Sequence, residues 1–323
     1  MKLAILGAGG IARLMAYTTS RMESVECYAV AARDYGRAEA FAKEFRFEKA
    51  YGSYLEMVED PEVELVYIAT PHSHHFEHAK LCLEHGKHVL CEKAFTSNAG
   101  EAEKIFALAK EKKLLITEAI WTRYMPMRQI LNDVLESGII GKPAVLTANL
   151  GYINYNKPRL AQPELAGGAL LDMGIYPLNF AIMAFGDKIK NITSSAVITE
   201  KGVDGQNSIT LTYEDGRIAV LYSSCYGLSD RRGVISGDKG FIEVQNINNS
   251  EAIRVYNLDR ELIQEIPAPE QISGYEYEVE ACIEAIQNGD LECPQMPHAE
   301  TIRMLKLMDG LRAEWGVVYP WEK

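Results

Sequence analysis

The chain reads as an α/β protein in two parts, an N-terminal doubly wound parallel sheet followed by an α+β part built on a large, mostly antiparallel open sheet. Three observations predict this. Over the first 120 residues, short apolar runs alternate with helical stretches through short links, the pattern of successive strand-helix-strand units. The first run, Lys2 to Leu6, leads at once into the glycine-rich turn Gly7-Ala8-Gly9-Gly10-Ile11-Ala12. From Lys188 to about Glu265 the pattern changes to short strands separated by turns such as Glu214-Asp215-Gly216 and Gly237-Asp238-Lys239-Gly240. A boundary near residue 120 divides 1–120 from 121–323.

With 323 residues and 36.0 kDa, the chain is long enough for two separate cores. A formal charge of -12 and a pI near 5.2, without a Lys/Arg cluster, argue against a nucleic-acid partner, which demands a basic face. No apolar run approaches the ~18 residues of a membrane span. The N-terminus runs straight into a strand rather than a signal peptide, so a cytoplasmic location is expected. Cysteines 27, 82, 91, 225, 282 and 293 form no Cys-x-x-Cys pair, and free buried thiols are expected.

In chain order, Lys2 to Leu6 is the first strand. The turn after it fits a dinucleotide fingerprint with Ala at the third small position: Gly7 permits the tight turn, Gly9 lets backbone approach a pyrophosphate, and Ala12 lets the helix pack against the strand. Gly10 and Ile11 start that helix, about 11–22, with its amides aimed at the phosphates. The second strand, about Val25 to Ala32, ends in Arg33-Asp34. Arg33, with Arg37 one helical turn on, suits the extra phosphate of NADP, whereas Asp34 on the ribose would suit NAD. NADP is expected rather than NAD. Helices follow at about 36–45 and 54–60, with a short segment around Tyr51 between them, and Leu65 to Ala69 is the next buried strand. Thr70-Pro71 stops it, leaving the Thr70 hydroxyl and the Pro71 ring toward a ligand crevice.

Six of the seven histidines then fall at 72, 74, 75, 78, 85 and 88. His74 and His78 are spaced to share an ion on a helix, but a catalytic metal normally draws ligands from several elements, and only His298 lies elsewhere. No metal is therefore assigned, and His72 and His75 are read as lining the cofactor crevice. Val89 to Cys91 is a buried strand that delivers Glu92 and Lys93 at its carboxyl end, where open α/β sheets bind ligands. Glu92 and Lys93 are therefore read as cofactor-binding, and a lysine there can hydrogen-bond a ribose, hold a substrate hydroxyl or pass a proton. A helix at about 99–112 and a strand at 114–118 complete this half.

Trp121 and Arg123 open the second half, as walls of a substrate pocket or as a packing cluster. A helix at about 127–137 and a strand at about 144–153 lead into a polar, proline-bearing segment, 154–166, expected as a loop over the site. If a helix begins at Asp172, then Asp172 and Tyr176 share a face and offer a carboxylate and a phenol to one pocket. The antiparallel strands follow, with Ile209, Leu211, Ile218, Val220 and Tyr222 read as one apolar face of the sheet that packs on the chain's own helices or pairs with a second subunit. Two helices, about 275–288 and 299–315, end the chain.

These residues together resemble the glucose-fructose oxidoreductase and inositol dehydrogenase (Gfo/Idh/MocA) family and, within it, the dihydrodiol dehydrogenase branch. The resemblance spans nearly the whole chain. It rests on Gly7-x-Gly9-x-x-Ala12, Ala31-Ala32-Arg33-Asp34, Thr70-Pro71 with His75, Gly86 through Lys93, Glu118 through Arg123, and Gly168 through Asp172 with Gly174, Tyr176 and Pro177. It implies a Rossmann domain and a C-terminal domain whose open sheet makes a homodimer or a dimer of dimers. It further implies Lys93 and Tyr176 as a catalytic pair, with Asp172 orienting the substrate. The implied reaction is hydride transfer between a nicotinamide and a secondary alcohol or carbonyl of a sugar, polyol or cyclic trans-diol. The alternatives are a catalytically silent NAD(P)-sensing protein and a metal-dependent hydrolase. The chain departs from the family at Ala94, where proline usually follows the Glu-Lys and makes a rigid turn.

Overall fold

The computed structural model describes residues 1–322. They form two compact units: Met1–Tyr124 with Gln271–Lys306, and Met125–Glu270 with the chain from Leu307 on. A single cut near residue 120 leaves 271–306 in the second part, whereas in the structure this stretch returns to the first unit. The physical reason is hydrogen bonding: Ile116 N donates to Leu291 O at 3.2 Å, and His298 Nε2 donates to Ile116 O at 2.8 Å.

The first unit alternates β1 (Lys2–Leu6), α1 (Gly10–Thr19), β2 (Glu26–Ala31), α2 (Tyr35–Phe45), β3 (Lys49–Tyr51), α3 (Tyr54–Glu59), β4 (Leu65–Ile68), α4 (His75–Glu84), β5 (His88–Glu92), α5 (Ala99–Lys112) and β6 (Ile116–Ala119). The sheet order is β3-β2-β1-β4-β5-β6, with every pairing parallel. Its strands are apolar on both faces because helices cover both, so Leu3 to Leu6 and Leu65 to Ile68 are all fully buried. Strand order reverses between β1 and β4, which makes the carboxyl ends of these strands the switch point where such sheets bind ligands.

The second unit begins with α6 (Pro126–Glu136), β7 (Pro143–Gly151) and a short helix α7 (Pro158–Ala161) inside the expected loop. A π turn, Leu170–Gly174, then runs into α8 (Ile175–Phe185). Strands β8 (Ile189–Ile198), β9 (Asp204–Tyr213), β10 (Ile218–Ser224), β11 (Gly233–Gly237), β12 (Gly240–Val244), β13 (Ala252–Asn257) and β14 (Leu262–Pro267) follow. They build a sheet of order β14-β13-β12-β11-β7-β10-β9-β8, antiparallel except where β10 meets β7. The last helices are α9 (Glu276–Asn288), in the first unit, and α10 (His298–Trp315).

Two expectations are corrected here. Ile209 and Leu211 do not share the exposed face: they are 2% and 0% exposed, while Ile218, Val220 and Tyr222 keep 36%, 44% and 45%. The register explains it, because Leu211 lies opposite Ala219 and Ile209 opposite Leu221, the inward set of β10. The second concerns length, since Pro163–Phe185 is apolar and long enough to cross a membrane by composition. Its most apolar window is 89% buried, the mark of a core helix.

Candidate active site

The nucleotide end of the first unit is built on the β1–α1 turn. Gly7 has φ +110°, and a Cβ there would lie 2.9 Å from Ala69 O, so only glycine lets this turn sit against the end of β4. Among the described residues, a Cβ at Gly9 or Gly10 would meet nothing within 4 Å. Gly9 is the N-cap of α1 without a side-chain cap, so the first-turn amides have open space before them. Ile11 is half-buried and Ala12 fully buried under the helix. Uncapped amides at a helix N-terminus with room in front fit a pyrophosphate.

At the end of β2, Arg33 and Arg37 are both exposed, and Arg37 Nη2 donates to Ala8 O at 3.3 Å, which draws its guanidinium over the glycine-rich turn. Asp34 is the N-cap of α2 and accepts from Arg37 N at 2.8 Å. Half-buried His74 and His78 have their pKa values lowered, first by burial and then in part by the charge of Arg33, and His78 falls to about 4. His78 Nδ1 bonds Thr70 Oγ1 at 3.0 Å, and its ring meets Tyr54 edge-on at 4.8 Å. Pro71 is half-exposed, and buried His72 lies edge-on to His75. His75 is wholly buried and joins two loops: its ring nitrogens meet Thr70 O at 2.8 Å and Ala94 O at 2.9 Å. Burial pushes its pKa down while those carbonyls pull it up. Among the described residues, no three His, Cys, Asp or Glu side chains gather as metal ligands.

Lys93 leaves β5 half-exposed, through a cis peptide to Ala94. Hydrogen bonds hold its turn where the family has proline. Lys93 N donates to Glu92 Oε2 at 3.1 Å, and Phe95 N donates to Glu118 Oε1 at 3.0 Å. Beneath lies a buried acidic cluster. Glu92 also accepts from Tyr67 OH. Burial pushes Glu118 up to about 7, against hydrogen bonds from Thr301 and Phe95 and the charge of Arg123. Burial, with Glu92 and Cys293 acting in the same direction, pushes Glu278 well above the carboxylate range. Among the described residues both Glu278 oxygens lack a hydrogen-bond partner, an environment that disfavours the charged form. Trp121 and Arg123 pack within the first unit: Trp121 stacks on Tyr275 at 4.1 Å, and Arg123 Nη2 pairs with Glu300 Oε1 at 2.9 Å.

In the second unit, Asp172 sits in the π turn and Tyr176 in the first turn of α8, 6% and 7% exposed. The helix starts before Asp172, so this residue is not its cap, yet four residues remain close to one full turn in the wider π geometry. The turn is anchored by buried Asp204, whose Oδ2 accepts from Leu170 N at 2.8 Å and from Asn207 Nδ2 at 2.8 Å. Burial pushes Asp204 up to about 7. Gly168 has φ +122°, and a Cβ there would fall 2.3 Å from Asp204 Oδ1. Sequence reasoning missed Arg159, whose Nη1 donates to Asp172 Oδ1 at 2.5 Å.

A parallel sheet with an open, glycine-lined turn at its switch point is the frame of a dinucleotide-binding protein. Residues 1–119 match the family described as "Oxidoreductase family, NAD-binding Rossmann fold", and residues 129–243 match the "GFO/IDH/MocA C-terminal domain". The chain belongs to the Gfo/Idh/MocA family and is an NAD(P)-dependent oxidoreductase. It is 36% identical to trans-1,2-dihydrobenzene-1,2-diol dehydrogenase of Mus musculus, over 100% of this chain and 99% of that one. It is 35% identical to the Homo sapiens protein of the same name, over 91% and 90%. A 3-ketoreductase from Actinomadura kijaniata, solved with NADP, superposes with TM-score 0.88 at 23% identity over 97% of each chain. An aldose-aldose oxidoreductase from Caulobacter crescentus gives 0.87 at 20% identity, over 98% of this chain and 97% of that one. Likeness to these two solved structures concerns the fold.

Proposed function

We propose that the protein uses NADP to oxidise a secondary hydroxyl of a vicinal diol, cyclic or sugar-like, or to reduce the matching carbonyl. The observation that carries this reading is 36% identity over the full length to a trans-1,2-dihydrobenzene-1,2-diol dehydrogenase, with Lys93, Asp172 and Tyr176 all present in this chain. When bound, the nicotinamide supplies the hydride chemistry. The chain's own residues do the rest. Gly7, Gly9 and Gly10 with the α1 amides bind the pyrophosphate, and Arg33 and Arg37 take the extra phosphate. The use of Asp34 as a helix cap supports that assignment over ribose recognition. Thr70, Pro71 and His72 border the crevice, while His75 and Glu92 tie the ends of β4 and β5 beside it. Tyr176 exchanges the hydroxyl proton, Lys93 holds the reacting oxygen, and Asp172 orients the substrate. The exposed face of the second sheet, Val145, Ile218, Val220 and Tyr222, is the proposed contact with a second copy. Six free cysteines support a reducing, cytoplasmic setting.

The test is a screen of diols, sugars and polyols with NADP and NAD, followed by Lys93→Met and Tyr176→Phe on the best substrate. Each variant is expected to lose on the order of 100-fold in turnover while binding NADPH as before, measured by fluorescence titration. Full turnover in both variants removes the assigned roles.

A further inference from the structure

The segment 154–166 is not a free loop over the site. Within it, α7 carries Leu160 and Ala161 into the core. Gly168 N donates to Leu160 O at 2.9 Å, and Gly167 N donates to Gln162 O at 3.1 Å. Tyr319 OH donates to Gly167 O at 2.9 Å. A Cβ on Gly167 would lie 2.6 Å from Leu160 O, so the segment lies directly against the glycine pair. Arg159 is thereby held at a fixed distance from the π turn. Its ion pair to Asp172, at 2.5 Å, joins a buried aspartate to an arginine whose side chain is still 43% exposed. Surface ion pairs matter little, but a buried carboxylate depends on its cation.

A hydroxyl group both donates and accepts, and a guanidinium beside a carboxylate offers the matching acceptor and donor side by side. We propose that Arg159 is a positioning and specificity-determining residue. It fixes Asp172, and the pair reads the second, non-reacting hydroxyl of a vicinal diol, while Tyr176, one turn along, serves the hydroxyl that is oxidised. This rests on the diol reading above. A site built to hydrogen-bond a hydroxyl rejects the analogue lacking it, because the paired groups are then left unsatisfied.

The test compares trans-1,2-cyclohexanediol with cyclohexanol, using NADP, in the wild type, Arg159→Gln, Arg159→Lys and Arg159→Ala. The wild type is expected to favour the diol in kcat/KM. Arg159→Gln should narrow the diol-over-monoalcohol ratio tenfold or more, Arg159→Lys should recover part of it, and added guanidinium ion should restore part of it to Arg159→Ala. NADPH binding, read by fluorescence, reports that each variant is folded. An equal loss on both alcohols, or no loss, overturns the specificity role while leaving the diol reading intact. A wild type that turns over neither the diol nor any sugar or polyol overturns the diol reading and this proposal with it.

Discussion

Glu118 is replaced by Gln at the end of β6, where the side chain is 1% exposed. Its Oε1 accepts from Phe95 N and its Oε2 from Thr301 Oγ1, both at 3.0 Å. The amide of Gln keeps the first bond, and the Thr301 hydroxyl can turn to accept from the new NH2. Burial raises this carboxyl from 4.5 to about 7. Each unit corresponds to about 1.4 kcal/mol, so ionisation of Glu118 in the folded state costs on the order of 3 kcal/mol. The folded value lies above the unfolded one, so the favourable contribution is complete below the unfolded value of 4.5 and is lost as pH rises through about 7. Glu118→Gln is neutral throughout. Urea unfolding followed by circular dichroism, at intervals from about pH 5 to about pH 8, should show the variant gaining on the wild type by roughly 2–3 kcal/mol, most of it below about pH 7. Other raised groups, such as Asp204, are common to both proteins and cancel in the difference. A difference that does not change with pH would refute the claim that this carboxyl is held neutral.

Arg33→Ala should weaken NADPH binding by about 10-fold to 100-fold, the loss of a charge-assisted contact, with little change for NADH; equal losses for both would place Arg33 away from the extra phosphate. Gly168→Ala should destabilise the second unit by at least about 1–3 kcal/mol, since strain at positive φ adds to the clash with Asp204; a shift in urea midpoint within error would show that the turn can relax. Tyr222→Asp and Val220→Asp place charge on the exposed face of β10 and should shift the protein to monomer in sedimentation velocity; an unchanged oligomeric state in both would move the interface elsewhere.

Much of the first unit was legible because strands covered on both faces read as unbroken apolar runs, and each run stops where the chain turns at a ligand-binding edge. Lys93 was visible for that reason. Asp172 and Tyr176 were visible through their spacing, which survives the change from α to π winding. Arg159 was not, because a polar segment has no period and only the folded turn shows what an arginine there touches. Glu278 left a signal that could have been used: Tyr275 and Cys282, three residues before and four after it, are buried and mark its face of α9 as apolar. The wrong face assigned to Ile209 and Leu211 reflects a limit of alternation, which gives the period of a strand but not which parity points outward until the pairing register is known. Return of 271–306 to the first unit rests on contacts far apart in sequence, and no local pattern encodes them.

That return also sets an order of events during synthesis. Six strands of the first sheet emerge from the ribosome early, yet Thr301 and Leu291, which partner Glu118 and Ile116, come only after the whole of 125–270 has been made. Until then the edge of β6 and the carboxyl beneath Lys93 lack their late-arriving partners. A nascent chain therefore carries an incomplete cofactor-binding unit through most of translation, and a truncation before residue 291 should leave it a substrate for chaperones or proteases rather than an independent domain.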